Sequence, residues 1–441
     1  MVDLQVIMRR MKMLTVGSQV KGLSVDLDYQ GQGVIKHEGY VIFVKGLLDQ
    51  EEAIVEITKL RKKFGEAKII EIIKKNPNRR DDPESILGSC DMIHMTEDKQ
   101  LLWQKKITEE TLKKITGLDL KINDILTDNK PRNYRNKSVF HVMESRILTL
   151  GLYEKEFYKL IKVDSFSLAD QATNDMIKVL NASKIMIDPA ILKYVVCRTN
   201  PQGEILLTLG AKSSDFIGLE SIIRLLKPIK NMVGLTLNIM DDQTSILGKS
   251  SYTLLGENRI KEPLGEIEIY LNDRSFYQIN PPVIEKAYQL MKSQMKNGQT
   301  VIDSYSGVGS IGFYLSDKAS HVTMIESNPE ASEHAQMTKD KYGYQHIDVI
   351  LGRTENIIQD YDADILIVDP PRNGLLPEFI DKILLKKYQQ IFYLSCDVKT
   401  LARDLLSLHD IYEIESIYSL KMFYQTSSLE TLVFLNKMTQ N

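Results

Sequence analysis

Cysteine is scarce in this 441-residue chain: Cys90, Cys197 and Cys396 are the full set. Their wide spacing excludes a disulfide framework and a paired-cysteine metal site, and fits a reducing compartment. His94 and His141 have no partners at metal-ligand spacing and read as structural or surface residues. Long apolar runs are also missing. No 18-residue apolar stretch predicts a membrane helix, and the opening MVDLQVIMRRMKML has no run of signal-peptide length, so a cytoplasmic location is expected. Charge of one sign is lacking too. The formal balance of -3 leaves a local basic groove open as a possibility. At 43% hydrophobic and 26% charged residues, the composition is that of a folded chain, long enough for two or three domains.

Residues 14–73 alternate short apolar runs with turns at Gly31-Gln32-Gly33, His37-Glu38-Gly39 and Gly46, the pattern of a small all-β barrel. Its far end carries Lys59, Arg61, Lys62, Lys63, Lys68, Lys74, Lys75, Arg79 and Arg80 against Glu66 and Glu71. Such a run suits a phosphate backbone, and a solvated strand face has the same composition.

A polar, proline-containing linker at 76–84 precedes a helix predicted over 95–115. KPRNYRNKSVFH (130–141) interleaves Lys130, Arg132, Arg135 and Lys137 with Tyr134 and Phe140 and contains no acid. That supplies cations for phosphates and rings for bases, although a basic turn entering a strand looks alike. Strands over 138–143, 194–198, 204–209, 234–239 and 267–270, with helices over 169–181 and 219–226, suggest a central α+β region. Cys197, in KYVVCRT, reads as a core residue of its strand.

After a helix over 283–296 the pattern becomes regular. TVIDSYS, HVTMIES, IDVILGRT, ADILIVDPP and QIFYLS alternate with helices, which predicts a parallel, doubly wound sheet. IYEIESIYSLKMF and LETLVFLNK add two strands, antiparallel at the sheet edge. Two strand ends draw attention, because such sheets place their chemistry there. In DPPRNG (369–374) the prolines force the chain out of the sheet. In SCD (395–397) a thiol precedes a helix, where it can be exposed and acidified as a nucleophile requires. Taken alone, an ordinary crossover with a buried cysteine fits equally well.

The turn GVGSIG (307–312) is a G-x-G-x-x-G, and Glu326 follows Gly307 by 19 residues at the end of the next strand. A nicotinamide dinucleotide site uses this arrangement. A methyl-donor site needs the same physics, with an acid for the ribose and Asp303 for the amino-acid end of a sulfonium ligand. The segments downstream separate the two: a dehydrogenase has no use for DPPR followed by a cysteine turn.

At DPPRNG, YLSCDVKT and FYQTSSLE the chain resembles the S-adenosylmethionine-dependent RNA (uracil-5-)-methyltransferases of the tRNA and rRNA type. FYQIN (276–280) resembles that family's motif before the glycine turn, YRNKSVF its central-domain motif, and the barrel its TRAM domain. The resemblance implies a multidomain chain: an all-β TRAM or OB-like barrel at 14–75 that binds RNA, a central α+β RNA-binding domain at 76–272, and an α/β Rossmann-like class I methyltransferase domain at 273–441. It implies methyl transfer to C5 of a uridine in structured RNA, 23S rRNA ahead of tRNA, with the base flipped into a cleft. Cys396 is then the nucleophile and Glu430 the base. Gln278, Tyr305, Ser310, Glu326 and Asp369 would bind S-adenosylmethionine, and Arg372 would steady a phosphate or its own loop. Structured RNA is the implied partner, with no membrane and no obligate protein.

Departures from the family pattern accompany the match. Relatives often hold an iron–sulfur cluster with four cysteines; only Cys90 stands in that neighbourhood, so no cluster and no metal are expected. The usual F-P-Q-T-x-H-x-E reads FYQTSSLE, with Tyr424 for proline and Ser428 for histidine, and Asp397 replaces an asparagine. A catalytically silent RNA-binding homologue is the competing reading that the altered loop favours. An exocyclic-amine nucleic-acid methyltransferase would place an aromatic where Arg372 stands and would not need Cys396.

Overall fold

Strands β1 (Gln19–Leu27), β2 (Gly33–His37), β3 (Tyr40–Val44), β4 (Glu52–Leu60) and β5 (Phe64–Lys74) form where the alternation predicts them. They close into a barrel in the order β1-β2-β3-β5-β4. Period-2 alternation sends Ile35, Ile42, Val44, Val55 and Ile57 inward. Gly22 permits the close approach of β1 and β2, because a Cβ there would lie 2.5 Å from Ile35 Cγ2. The computed structural model describes residues 14–155, 159–241 and 246–439, and the opening segment falls outside these. They divide into two compact units, one of residues 14–86, 90–103 and 425–427, the other holding the remainder.

Within the first unit the basic run splits in two. Lys59 pairs with Glu66, Lys68 with Glu56, Lys75 with Asp81 and Arg80 with Glu97. Arg79 is drawn inside, where its Nε and Nη2 donate to the buried Glu51 carboxylate at 2.5 and 2.6 Å. Glu51 also accepts from the Leu48 and Asn76 amides. Arg61, Lys62 and Lys63 remain exposed at the tip between β4 and β5. The run is therefore partly internal glue.

Helix α1 (Glu97–Thr116) starts in the first unit and ends in the second. In the second unit, β6 (Asp124–Leu126) precedes a seven-stranded sheet built from β7 (Lys137–Val142), β8 (Leu150–Tyr153), β9 (Leu160–Lys162), β10 (Leu192–Thr199), β11 (Ile205–Ala211), β12 (Met232–Ile239) and β13 (Ser250–Gly256). Helices α2 (Gln171–Ala182) and α3 (Leu219–Leu226) lie between its strands in sequence. Asp170 caps α2 by accepting from the Thr173 amide at 2.8 Å. The hairpin β14 (Arg259–Leu264) and β15 (Ile267–Asn272) leads into a strap, residues 273–280, and then into α4 (Pro281–Gln294).

Residues 130–141 form a turn entering strand β7, the second of the two readings of this segment. Tyr134 and Phe140 are buried, and Lys137 turns inward to donate to the Asp273 carbonyl at 2.7 Å. Alternation along β7 sends Phe140 into the core, so these rings are not available for stacking on bases.

The last sheet contains β16 (Gln299–Ser304), β17 (Ala319–Glu326), β18 (Ile347–Leu351), β19 (Ile365–Val368), β20 (Gln390–Ser395), β21 (Tyr412–Leu420) and β22 (Glu430–Lys437). Between them run α5 (Ser310–Leu315), α6 (Pro329–Tyr342), α7 (Thr354–Ile357), α8 (Pro377–Lys386) and α9 (Val398–Leu408). The order is β18-β17-β16-β19-β20-β22-β21-β6. Strands β16 to β20 run parallel to one another, and β22 is antiparallel to both β20 and β21. Sequence reading puts the final pair at the sheet edge; that edge is β6, which pairs parallel to β21. Ile365, Leu366, Ile367 and Val368 are fully buried, as expected of a parallel strand covered on both faces.

Candidate active site

Strand order changes direction between β16 and β19, and the crevice beyond the carboxyl ends is where such sheets bind ligands. Register places the residues singled out in sequence along that edge. Ser304 pairs with Ile325 and with Val368, so Tyr305, Glu326 and Asp369 follow directly at three adjacent strand ends. Val368 pairs with Tyr393, and Ser395 pairs with Thr431. Cys396 and Glu430 are the next residues on neighbouring strands, about 5 Å apart in strand spacing.

The glycine turn joins β16 to α5. Gly307 and Gly309 have φ of +57° and +82°, a conformation that suits glycine. Among the described residues, apart from its chain neighbours, nothing lies within 4 Å of where a Gly307 Cβ would be, which leaves the backbone open to an approaching ligand. The Gly307 amide donates to Glu326 Oε2 at 2.8 Å, while Glu326 Oε1 accepts from the Asn328 amide at 2.6 Å. Asp303 braces the turn from below: its Oδ2 accepts from the Gly312 amide at 2.9 Å, and its buried Oδ1 has no hydrogen-bond partner among the described residues. Ser310, first residue of α5, shares a hydrogen bond with the Tyr288 hydroxyl at 3.1 Å. Tyr305 takes φ +60° and donates to Glu355 Oε1 at 2.9 Å.

Sequence reading missed Glu355, a buried acid just past β18 in GRTEN. Its position after the third strand of the alternation was the available signal.

Burial shapes the electrostatics of the edge. Desolvation pushes the Asp303 and Asp369 carboxyls up to about 7. It raises Glu430 well above the carboxylate range, with Asp369 adding and Arg372 opposing. The Cys396 thiol is pushed up to about 11 by burial, then by Glu430 and Asp369, against the Arg372 guanidinium. Arg372 is thus a cation acting on both groups.

Asp397, the replacement for asparagine, caps α9 by accepting from the Lys399 and Thr400 amides at 2.8 and 3.0 Å. Either residue performs that task, so this departure leaves the turn intact. Tyr424, in place of proline, is buried; its hydroxyl bonds Thr127 Oγ1 and accepts from the Asn129 amide at 3.1 Å. The next three residues belong to the first unit. There Gln425 turns at φ +64°, accepts from Gln100 Nε2 at 2.7 Å and from Arg80 Nη2 at 3.1 Å, and the Ser427 amide donates to Asp91. Cys90 is buried in that unit, its sulfur 4.0 Å from Glu84 Oε2.

Comparison with known proteins is decisive at this point. A family model described as tRNA (Uracil-5-)-methyltransferase matches residues 330–438, and a TRAM domain model matches residues 19–70. An uncharacterised RNA methyltransferase of Oceanobacillus iheyensis is 30% identical over 440 residues, covering 94% of this chain and 96% of that protein. The chain belongs to the S-adenosylmethionine-dependent RNA (uracil-5-)-methyltransferases. Another uncharacterised RNA methyltransferase, from Staphylococcus aureus, is 29% identical across 94% of this methyltransferase and 97% of its own length. The crystal structure of Pyrococcus abyssi tRNA (uracil-54, C5)-methyltransferase in complex with S-adenosyl-L-homocysteine shares the fold, with a TM-score of 0.77 and 21% identity over 94% of this chain and all of that one. Among the described residues of the methyltransferase no group of three His, Cys, Asp or Glu side chains gathers at metal-binding distance, and no helix is long and apolar enough to cross a membrane.

Proposed function

We propose that this methyltransferase modifies C5 of a uridine in structured RNA through a covalent bond between Cys396 and C6 of the base. The observation carrying the proposal is the register that sets Cys396 and Glu430 side by side, one strand from Asp369 and two from the glycine turn.

C5 of uracil is a weak nucleophile. Addition of Cys396 Sγ to C6 forms the S–C6 bond and moves the C5–C6 π electrons onto C5 and O4, which makes C5 reactive. Bound S-adenosylmethionine supplies an electrophilic methyl group on a sulfonium. Once C5 is methylated, Glu430 takes its proton, the C5–C6 double bond reforms and the S–C6 bond breaks. Gln278, Tyr305, Ser310, Glu326 and Asp369 are our assignment for the donor site. The open backbone at Gly307 and the unsatisfied, buried Asp303 Oδ1 suit a ligand with a cationic centre and a ribose. Because the free thiol is held at about 11, the thiolate must be favoured by bound RNA, by Arg372 and by the amino end of α9, which favours negative charge.

Our domain assignment is a TRAM barrel at 14–75, a central RNA-binding domain at 76–272 and the methyltransferase domain at 273–441, acting in the cytoplasm. The exposed tip with Arg61, Lys62 and Lys63 is the barrel's cationic surface for RNA. We place 23S rRNA ahead of tRNA as substrate. Incubating unmodified 23S rRNA and tRNA transcripts with enzyme and donor, then digesting to nucleosides, tests this. 5-Methyluridine in the rRNA supports the order, in tRNA alone reverses it, and in neither transcript favours the silent RNA-binding homologue.

A further inference from the structure

The strap at 273–280 carries Gln278, which we assign to the donor site, and the central sheet holds that strap through its backbone. Lys137 Nζ donates to the Asp273 carbonyl at 2.7 Å. Arg198 Nη2 donates to the Ser275 carbonyl. Asn136 gives its amide to the Ile279 carbonyl at 3.2 Å and its side-chain Nδ2 to the Gln278 carbonyl at 3.3 Å. Lys137 and Arg198 are direct partners across β7 and β10, so both side chains leave the sheet on one face, at neighbouring points.

Arg198 is an unusual residue to bury. It is 1% exposed, its Nε and Nη1 have no hydrogen-bond partner among the described residues, and the carboxyls of the fully buried Glu262 of β14 and of Asp273 act on it, with burial pushing Glu262 itself up to about 8. Both Glu262 carboxyl oxygens likewise have no hydrogen-bond partner among the described residues. A guanidinium taken out of water with incomplete pairing is costly, and hydrophobic residues of similar volume often serve stability as well or better. What an apolar residue could not do is hold the Ser275 carbonyl. Burial lowers Arg198 only to about 10, so it stays charged at neutral pH and its bond to the carbonyl is charge-assisted.

We infer that Arg198 is a positioning residue for the methyl-donor site, fixing Ser275 and thereby the placement of Gln278. The inference rests on the proposed role of Gln278 in donor binding. Arg198 touches neither donor nor RNA; it acts through the strap. Loss of its bond lowers donor affinity and leaves RNA affinity alone, a split that general loss of stability would not produce.

Calorimetric titration with S-adenosylhomocysteine, alongside filter binding of one RNA transcript, tests this on the full chain. Arg198→Met is expected to weaken S-adenosylhomocysteine about tenfold, the scale of one charge-assisted hydrogen bond, with RNA affinity unchanged. Gln278→Ala should weaken it comparably, and the double variant should lose little more than either single one, because both act through one contact. Unaltered donor affinity in folded Arg198→Met, while Gln278→Ala binds weakly, overturns the inference alone. So does full additivity in the double variant. Unaltered affinity in Gln278→Ala overturns the donor-site reading and the inference together. Should Arg198→Met fail to fold because Glu262 loses the neighbouring guanidinium, Arg198→Met/Glu262→Gln removes both ionisable groups and carries the same comparison.

Discussion

Tyr134 donates its hydroxyl hydrogen to the backbone carbonyl of Tyr424 at 2.9 Å, with both rings buried. One bond thereby ties the YRNKSVF segment to the FYQTSSLE segment, 290 residues apart in sequence. The strap containing FYQIN is tied to the first of these by Asn136 and Lys137. Tyr134→Phe keeps the ring and removes the bond, so we expect a loss of about 1 kcal/mol, seen as a lower urea midpoint. An unchanged midpoint would mean that the Tyr424 carbonyl is satisfied elsewhere.

The same residues show what the sequence made legible. Period-2 runs and the alternation of strands with helices led to the barrel, the parallel sheet and its crevice, because those patterns record burial directly. Cys396, Asp369 and the glycine turn could be picked out because each sits at the end of a recognisable strand, and Glu430 only through the resemblance of FYQTSSLE to the family motif. Lys137 and Tyr134 could not be read this way. A cation and a phenol next to arginines have the composition of an RNA contact, and only β7's pairing with β10 turns Lys137 inward. Arg79 is a similar case, since its partner Glu51 lies 28 residues away and no local pattern links them. Strand β6 was missed because a three-residue strand is too short for a period to show.

Glu51 accepts from Arg79 and from the Leu48 and Asn76 amides in the first unit. Glu51→Ala strands a buried guanidinium and two amides, and we expect a cost of about 3–5 kcal/mol. Replacing both partners with leucine should cost much less. Thermal unfolding of the two variants makes the comparison; equal losses would show that the acid contributes no more than its volume.

Cys396 should be a slow thiol in the free enzyme. With burial holding it at about 11, iodoacetamide labelling followed by peptide mass spectrometry should accelerate steadily from pH 7 upward without a plateau below pH 10. Arg372→Gln removes the cation that opposes the rise, so labelling at pH 9 should slow further. A plateau near pH 8 would contradict this environment.

Asp303 sets a pH dependence of stability. Burial raises its folded pKa to about 7, against about 4 for an unfolded aspartate. The folded state holds the proton more tightly, so this contribution to stability is full below about pH 4 and is lost as pH rises through about 7. Asp303→Asn cannot ionise, and its melting temperature should fall less between pH 5 and pH 8 than that of the wild type. Asp369 rises in the same window and remains in the variant, so part of the dependence should persist. Identical pH dependence in the two proteins would show that Asp303 is ionised throughout.

The covalent step is tested most directly with 5-fluorouridine-substituted 23S rRNA and tRNA transcripts, mixed with enzyme and S-adenosylmethionine and run on a denaturing gel. Fluorine at C5 cannot leave as a proton does, so the account predicts a persistent protein–RNA band that is absent in Cys396→Ala. Turnover of unsubstituted RNA with no such band, or a band that survives Cys396→Ala, would contradict it.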